Sequence, residues 1–159
     1  MKKRNNAVRA TNRNGSYKIN ELFVERLASG VLKTLKKAKD AEIEIVFLDD
    51  KAIRKLNKAF KKEDAATDVL SFRIDREEFG RKKFLGEIVI SLDTAQRNAR
   101  LFGTAFEFEI VRYIIHGILH LFGYDDLTER DRSKMWLEQE RLLSDLCIRE
   151  DLSKVLTRR

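Results

Sequence analysis

The chain contains two histidines, His116 and His120, and they stand four residues apart. On a helix, positions i and i+4 share one face, so both imidazoles can point at one spot. Two neutral imidazoles and a carboxylate can hold a zinc-type ion and leave a position for water. Gly123 permits the left-handed turn that ends such a helix and returns the chain toward the same spot. Asp126 lies three residues past that glycine and is the expected third ligand. The neighbouring Asp125 suits turn hydrogen bonding or support of the ligands.

This spacing is shared with the zinc proteases, whose pattern H-E-x-x-H-x-x-G-x-x-H places a general base after the first histidine. Here that position is Gly117. The protease's base is missing, which argues against peptide hydrolysis.

The elements around the pair follow from hydrophobic spacing. The segment 104–122 is apolar on nearly all sides, which predicts a central helix carrying both histidines. A last helix is predicted from Thr128, with Asp131 as its capping-box acid, to about Cys147. Before them come a strand over 6–11, a turn over 12–15, and a helix capped by Asn20 to about Lys37 with Leu22, Phe23, Leu27, Val31 and Leu35 as its stripe. A strand over 42–48 alternates Ile43, Ile45 and Phe47 against glutamates. A helix capped by Asp50 runs through Lys62. Strands over 67–72 and 85–91 flank a charged loop over 75–83, read as a hairpin tip. A helix over 93–101 closes at Gly103. About four strands with surrounding helices make a small α/β (α+β) domain spanning 1–159, with the metal site at the end of a central helix. The polar residues 148–159 are expected to fray.

Proline is absent and charged residues make up 37% of the 159, which leaves turns to Gly, Asn and Asp and solvates the surface strongly. The net charge of +7 is uneven: residues 1–62 hold 17 Lys and Arg against 7 Asp and Glu, residues 63–159 hold 16 against 19. A basic front half suits a polyanion such as RNA, although the same charges also serve as ordinary solvated faces. On the helix after Asp50, Lys51, Arg54, Lys55, Lys58 and Lys62 oppose the apolar Ile53, Leu56 and Phe60, and form a candidate phosphate track. Cys147 is the one cysteine, so no disulfide partner exists within the chain, in keeping with a reducing cytosol. Its Leu-rich surroundings predict a packing residue rather than a nucleophile. Neither a signal peptide nor a membrane span is expected.

Four stretches match a known family. Residues 116–125, His-Gly-Ile-Leu-His-Leu-Phe-Gly-Tyr-Asp, resemble the H-G-x-L-H-L-x-G-Y-D-H signature of the bacterial YbeY family. Thr67-Asp68-Val69-Leu70-Ser71-Phe72 resembles its T-D-V-L-S-F strand, and Leu85-Gly86-Glu87-Ile88-Val89-Ile90-Ser91 its L-G-D-I-V-I-S strand. Leu56-Asn57 with Phe60-Lys61 resembles its L-N-x-x-Y-R segment. The agreement runs from about residue 20 to 145.

The resemblance implies a metal-dependent, single-strand-specific endoribonuclease of rRNA maturation and ribosome quality control, cytoplasmic, with the ribosome as partner and an rRNA precursor as substrate. It implies one divalent ion, Zn2+, on His116, His120 and the next family position. It implies that Lys61, in place of the family arginine, offsets phosphate charge beside the two histidines. This chain departs by carrying Asp126 where the family has histidine, which keeps three ligands but alters metal preference. Lysine at 61 offers a point charge where arginine grips bidentately. Ala66 replaces a usual proline and Glu87 a usual aspartate. A non-catalytic ribosome assembly factor with a structural or weak metal site is the alternative that Asp126 keeps open.

Overall fold

The computed structural model describes residues 7–35, 41–76 and 83–157. Four strands, β1 (Val8–Asn12), β2 (Ala41–Leu48), β3 (Val69–Arg76) and β4 (Lys83–Ser91), form one sheet in the order β1-β2-β4-β3. β1, β2 and β4 run parallel, and β3 returns antiparallel along β4. That antiparallel pair is the hairpin expected around the charged loop, whose tip lies outside the described residues. The helices are α1 (Glu21–Thr34), α2 (Asp50–Lys61), α3 (Leu92–Phe102), α4 (Phe106–Leu121) and α5 (Glu129–Arg149). The fold is α+β, as the spacing predicts.

Alternation along β2 divides the core. Ile43, Ile45 and Phe47 belong to the larger apolar cluster, together with buried residues of α1 and α4. Val46 and Leu48 face the other way and pack with Ile53 of α2, Leu70 and Val89. The glutamate side of β2 thus becomes apolar only where α2 covers it. α4 lies between the sheet, α3 and α5, which explains a helix apolar on nearly every side.

Gly117 sets how closely α4 approaches the sheet. A Cβ there would lie 2.5 Å from Ile88 Cγ2. Ser71 of β3 also donates its hydroxyl to the Gly117 carbonyl at 3.2 Å. The protease glutamate is therefore excluded at this position by packing against β4.

The caps match expectation at Asn20, Gly103 and Thr128 and differ at α2. Asp49, not Asp50, caps α2 by accepting from the Ala52 N–H at 2.8 Å. Asp50 is freed to accept from Ser91 and Thr94 at 2.7 Å each and to pair with Arg97. Lys62 is the left-handed C-cap residue (φ 58°) and not part of the helix. Leu22, placed in the apolar stripe of α1, is 63% exposed. α1 ends at Thr34 rather than near Lys37, and 36–40 lie outside the described residues.

Two features of the C-terminal end bear on the sequence expectations. The segment after Arg149, expected to fray, carries ordered contacts through residue 157: Leu152–Val155 form a 3-10 helix, Val155 is buried, and Ile19 bridges to Leu156. Apolar Leu152, Val155 and Leu156 repay the ordering of an otherwise polar segment. Cys147 is exposed, not packed, because it falls beside the buried stripe of Leu142, Leu143 and Leu146. Its thiol is pushed up by local desolvation and by Glu140, so it stays protonated.

Candidate active site

The last two turns of α4 carry His116 and His120 to the edge of the core. Their Nε2 atoms face each other at 3.1 Å. His116 Nδ1 meets Gln139 Oε1 at 2.7 Å, and His120 Nδ1 meets the Tyr124 carbonyl at 3.0 Å. A carboxamide oxygen and a carbonyl only accept, so each Nδ1 carries its proton and donates. The Gln139 amide nitrogen points instead to Glu140 Oε1 at 3.5 Å, which fits that orientation. Both Nε2 lone pairs are then left facing one another, an arrangement that a cation held between them, a metal ion or a shared proton, would relieve. Ligand atoms on a tetrahedral zinc with bonds of ~2.0–2.1 Å lie about 3.3 Å apart, close to the spacing found here.

Gly123 has φ 91°, a conformation open to glycine, and it turns the chain back over the end of α4. That turn brings Asp126 Oδ2 to 3.9 Å from His120 Nε2. The ligand atoms of His116, His120 and Asp126 all lie within 4.8 Å of one another. Asp125 is spent on the turn, accepting from the Leu127 N–H at 3.3 Å. The donor set, two imidazole nitrogens and one carboxylate oxygen, fits a divalent ion of the zinc type.

Burial and the neighbouring His116 lower the His120 pKa, with Lys61 adding to the effect, against the Asp126 carboxylate and the Tyr124 carbonyl, which raise it. The imidazole is thus held in its neutral, ligating form at neutral pH. Lys61, the last residue of α2, lies within electrostatic reach of His120 although α2 and α4 are distant in sequence.

The remaining basic residues do not converge on that point. Lys51, Arg54, Lys55, Lys58 and Lys62 are exposed along α2 and its cap. Asp64, from the loop that follows, pairs with Arg54 at 2.8 Å and with Lys58 at 3.9 Å. Two of the five cations are therefore engaged with an acid that the helix pattern alone does not reveal.

Sequence reasoning missed Gln139. It is buried on the face of α5 otherwise made of Met135, Leu142, Leu143 and Leu146. A lone amide on an apolar stripe was the available signal. Also missed was a cavity of about 610 Å3 beside the triad, where His116 and Asp126 meet Arg132, Met135 and Trp136 of α5.

Fold and site together describe a small single-sheet α+β protein with a candidate metal triad of two histidines and one carboxylate at the end of a central helix. The family model described as Endoribonuclease YbeY matches residues 9–147. The Endoribonuclease YbeY of Aquifex aeolicus is 48% identical over 101 residues, covering 64% of this chain and 67% of that protein. That of Desulforamulus reducens is 42% identical over 131 residues, covering 79% and 86%. The solution structure of a Thermotoga maritima protein superposes with a TM-score of 0.61 at 28% identity, over 87% of this chain and 88% of that one. The chain belongs to the YbeY family.

Proposed function

We propose that this protein uses a divalent ion on His116, His120 and Asp126 to cut single-stranded segments of precursor rRNA. As a member of its family it is an endoribonuclease, a hydrolase of phosphodiester bonds that acts in rRNA processing. The observation that carries the metal assignment is the facing pair of Nε2 lone pairs, each fixed by an acceptor on the opposite ring nitrogen.

A bound Zn2+ would polarise a phosphoryl oxygen and acidify a water molecule. The chain's own residues do the rest. Gln139 and the Tyr124 carbonyl hold the two rings in the ligating tautomer. Asp126 supplies negative charge in place of a third imidazole and lowers the net charge of the centre. Lys61 offsets charge building on the phosphoryl oxygens. Lys51, Lys55 and Lys62, with Arg54 and Lys58 once released from Asp64, hold the flanking strand by its phosphates. No helix among the described residues is long and apolar enough to cross a membrane. A precursor rRNA substrate puts the enzyme in the cytoplasm, working on ribosomal particles.

The test compares cleavage of a single-stranded RNA and a duplex of the same sequence by metal-loaded wild type and H116A. Cleavage of the single strand alone, lost in H116A, supports the reading. RNA binding without cleavage in the loaded wild type would favour the assembly-factor alternative instead.

A further inference from the structure

We propose that the cavity between the metal-type centre and Trp136 receives an unstacked nucleobase of the RNA strand being cut. This rests on the endoribonuclease reading and adds a specificity subsite to it. The cavity, about 610 Å3, is continuous with the candidate ligands, since His116 and Asp126 line it. Its volume falls in the range of small-ligand sites. The rest of the lining comes from α5, where Arg132 and Trp136 stand at i and i+4 and so share a face.

Three features select a base as the occupant. Trp136 is 59% exposed, so a large flat ring is presented to whatever enters. Arg132 donates to the Asp126 carbonyl at 3.2 Å, which ties a guanidinium to the wall that carries a candidate ligand. Stacking on an aromatic ring beside a cation is how proteins hold single-stranded nucleic acid without reading its sequence. A strand whose scissile phosphate lies at His116 and His120 has its adjoining bases within this cavity's reach. Duplex RNA keeps its bases stacked on each other and cannot offer one, so the subsite selects single strands.

Trp136 is the chain's one tryptophan, so its emission reports on this cavity alone. The probes are a short 2′-O-methyl oligoribonucleotide and an abasic oligomer with the same number of phosphates, titrated without added metal. The base-bearing oligomer is expected to quench Trp136 saturably and to bind about tenfold more tightly than the abasic one. W136A, checked by its melting curve, is expected to bring the two oligomers to near parity, and W136F to keep most of the difference. Equal binding of both oligomers with unchanged emission, in protein that still cuts single-stranded RNA, overturns the subsite and leaves the nuclease reading standing. Neither binding nor cutting removes both. An emission change that follows protein concentration without RNA, with doubled mass in sedimentation, assigns the face to a second copy and overturns the proposal.

Discussion

Gln139 on α5 fixes His116 on α4 through one contact, Oε1 to Nδ1 at 2.7 Å. The two elements are joined by the turn that carries Asp126, so the same packing sets both the ligand ring and the carboxylate facing it. Removing the acceptor frees the His116 ring to rotate or change tautomer. Q139A is expected to weaken zinc binding by about 10- to 100-fold with little change in secondary structure. Q139E keeps an acceptor and should stay near wild type. Competition against a coloured chelator measures both, and a Q139A affinity equal to wild type would remove Gln139 from the centre.

Asp126 separates this chain from the histidine of the family signature. A carboxylate ligates zinc adequately, but it adds charge and is 51% exposed here. D126A is expected to lose more zinc than Q139A does, because a ligand and not its support is gone. D126H should retain or raise occupancy. Metal content by mass spectrometry decides, and equal content in all three proteins would exclude Asp126 as a ligand.

Much of this centre was legible from spacing. An i, i+4 histidine pair, a glycine and an aspartate three residues on specify a face and a return turn, both local features. Strands and helices followed from apolar period, and the four expected strands are present. What escaped depends on long-range packing. Gln139 gains meaning only when α5 lies on α4. Asp64 neutralises Arg54 only because the loop after α2 folds back. Asp50 reads as a cap in sequence, yet Asp49 takes that role once Ser91, Thr94 and Arg97 approach from α3 and its start. The docked C-terminal segment depends on Ile19, more than a hundred residues away in sequence.

Lys61 brings positive charge to the centre from a different layer of the fold. If it offsets phosphoryl charge in the transition state, truncation lowers kcat more than it raises KM. K61A is expected to lower kcat on the order of 10- to 100-fold, and K61R to recover most of it. Steady-state cleavage of a fluorogenic single-stranded RNA reads this split. An effect confined to KM would make Lys61 one more strand-holding cation.

Gly117 gives a stability prediction with a sign reversal. Alanine in a helix gains about 1 kcal/mol over glycine from propensity alone. Here the added Cβ would sit 2.5 Å from Cγ2 of the fully buried Ile88, a stiff β-branched side chain. Overpacking of that kind costs about 1–3 kcal/mol, so G117A should be destabilising overall. In an I88A background the clash is gone, and the same substitution should stabilise. Urea denaturation of the four proteins of this cycle measures the coupling, and additive effects would mean that the helix does not rest on Ile88.

Asp50 gives a pH prediction. Burial pushes its carboxyl up, but hydrogen bonds from Arg97, Thr94 and Ser91 outweigh that and hold it below the ordinary 3.8. A carboxylate with a depressed folded-state pKa contributes stability that is complete above the unfolded value and is lost as pH falls through the folded one. The window therefore lies in acid, from about pH 4 downward. Asp50 links the start of α2 to Ser91 and α3, so its protonation loosens the layer that presents Lys61. D50N keeps the shape and cannot titrate. At neutral pH it should be less stable than wild type by about 1 kcal/mol or less, given solvent screening of the partly exposed pair with Arg97. Between about pH 5 and pH 2 the wild-type urea midpoint should fall more steeply than that of D50N, and the two curves should converge. Parallel curves across that range would show that Asp50 has the same pKa folded and unfolded.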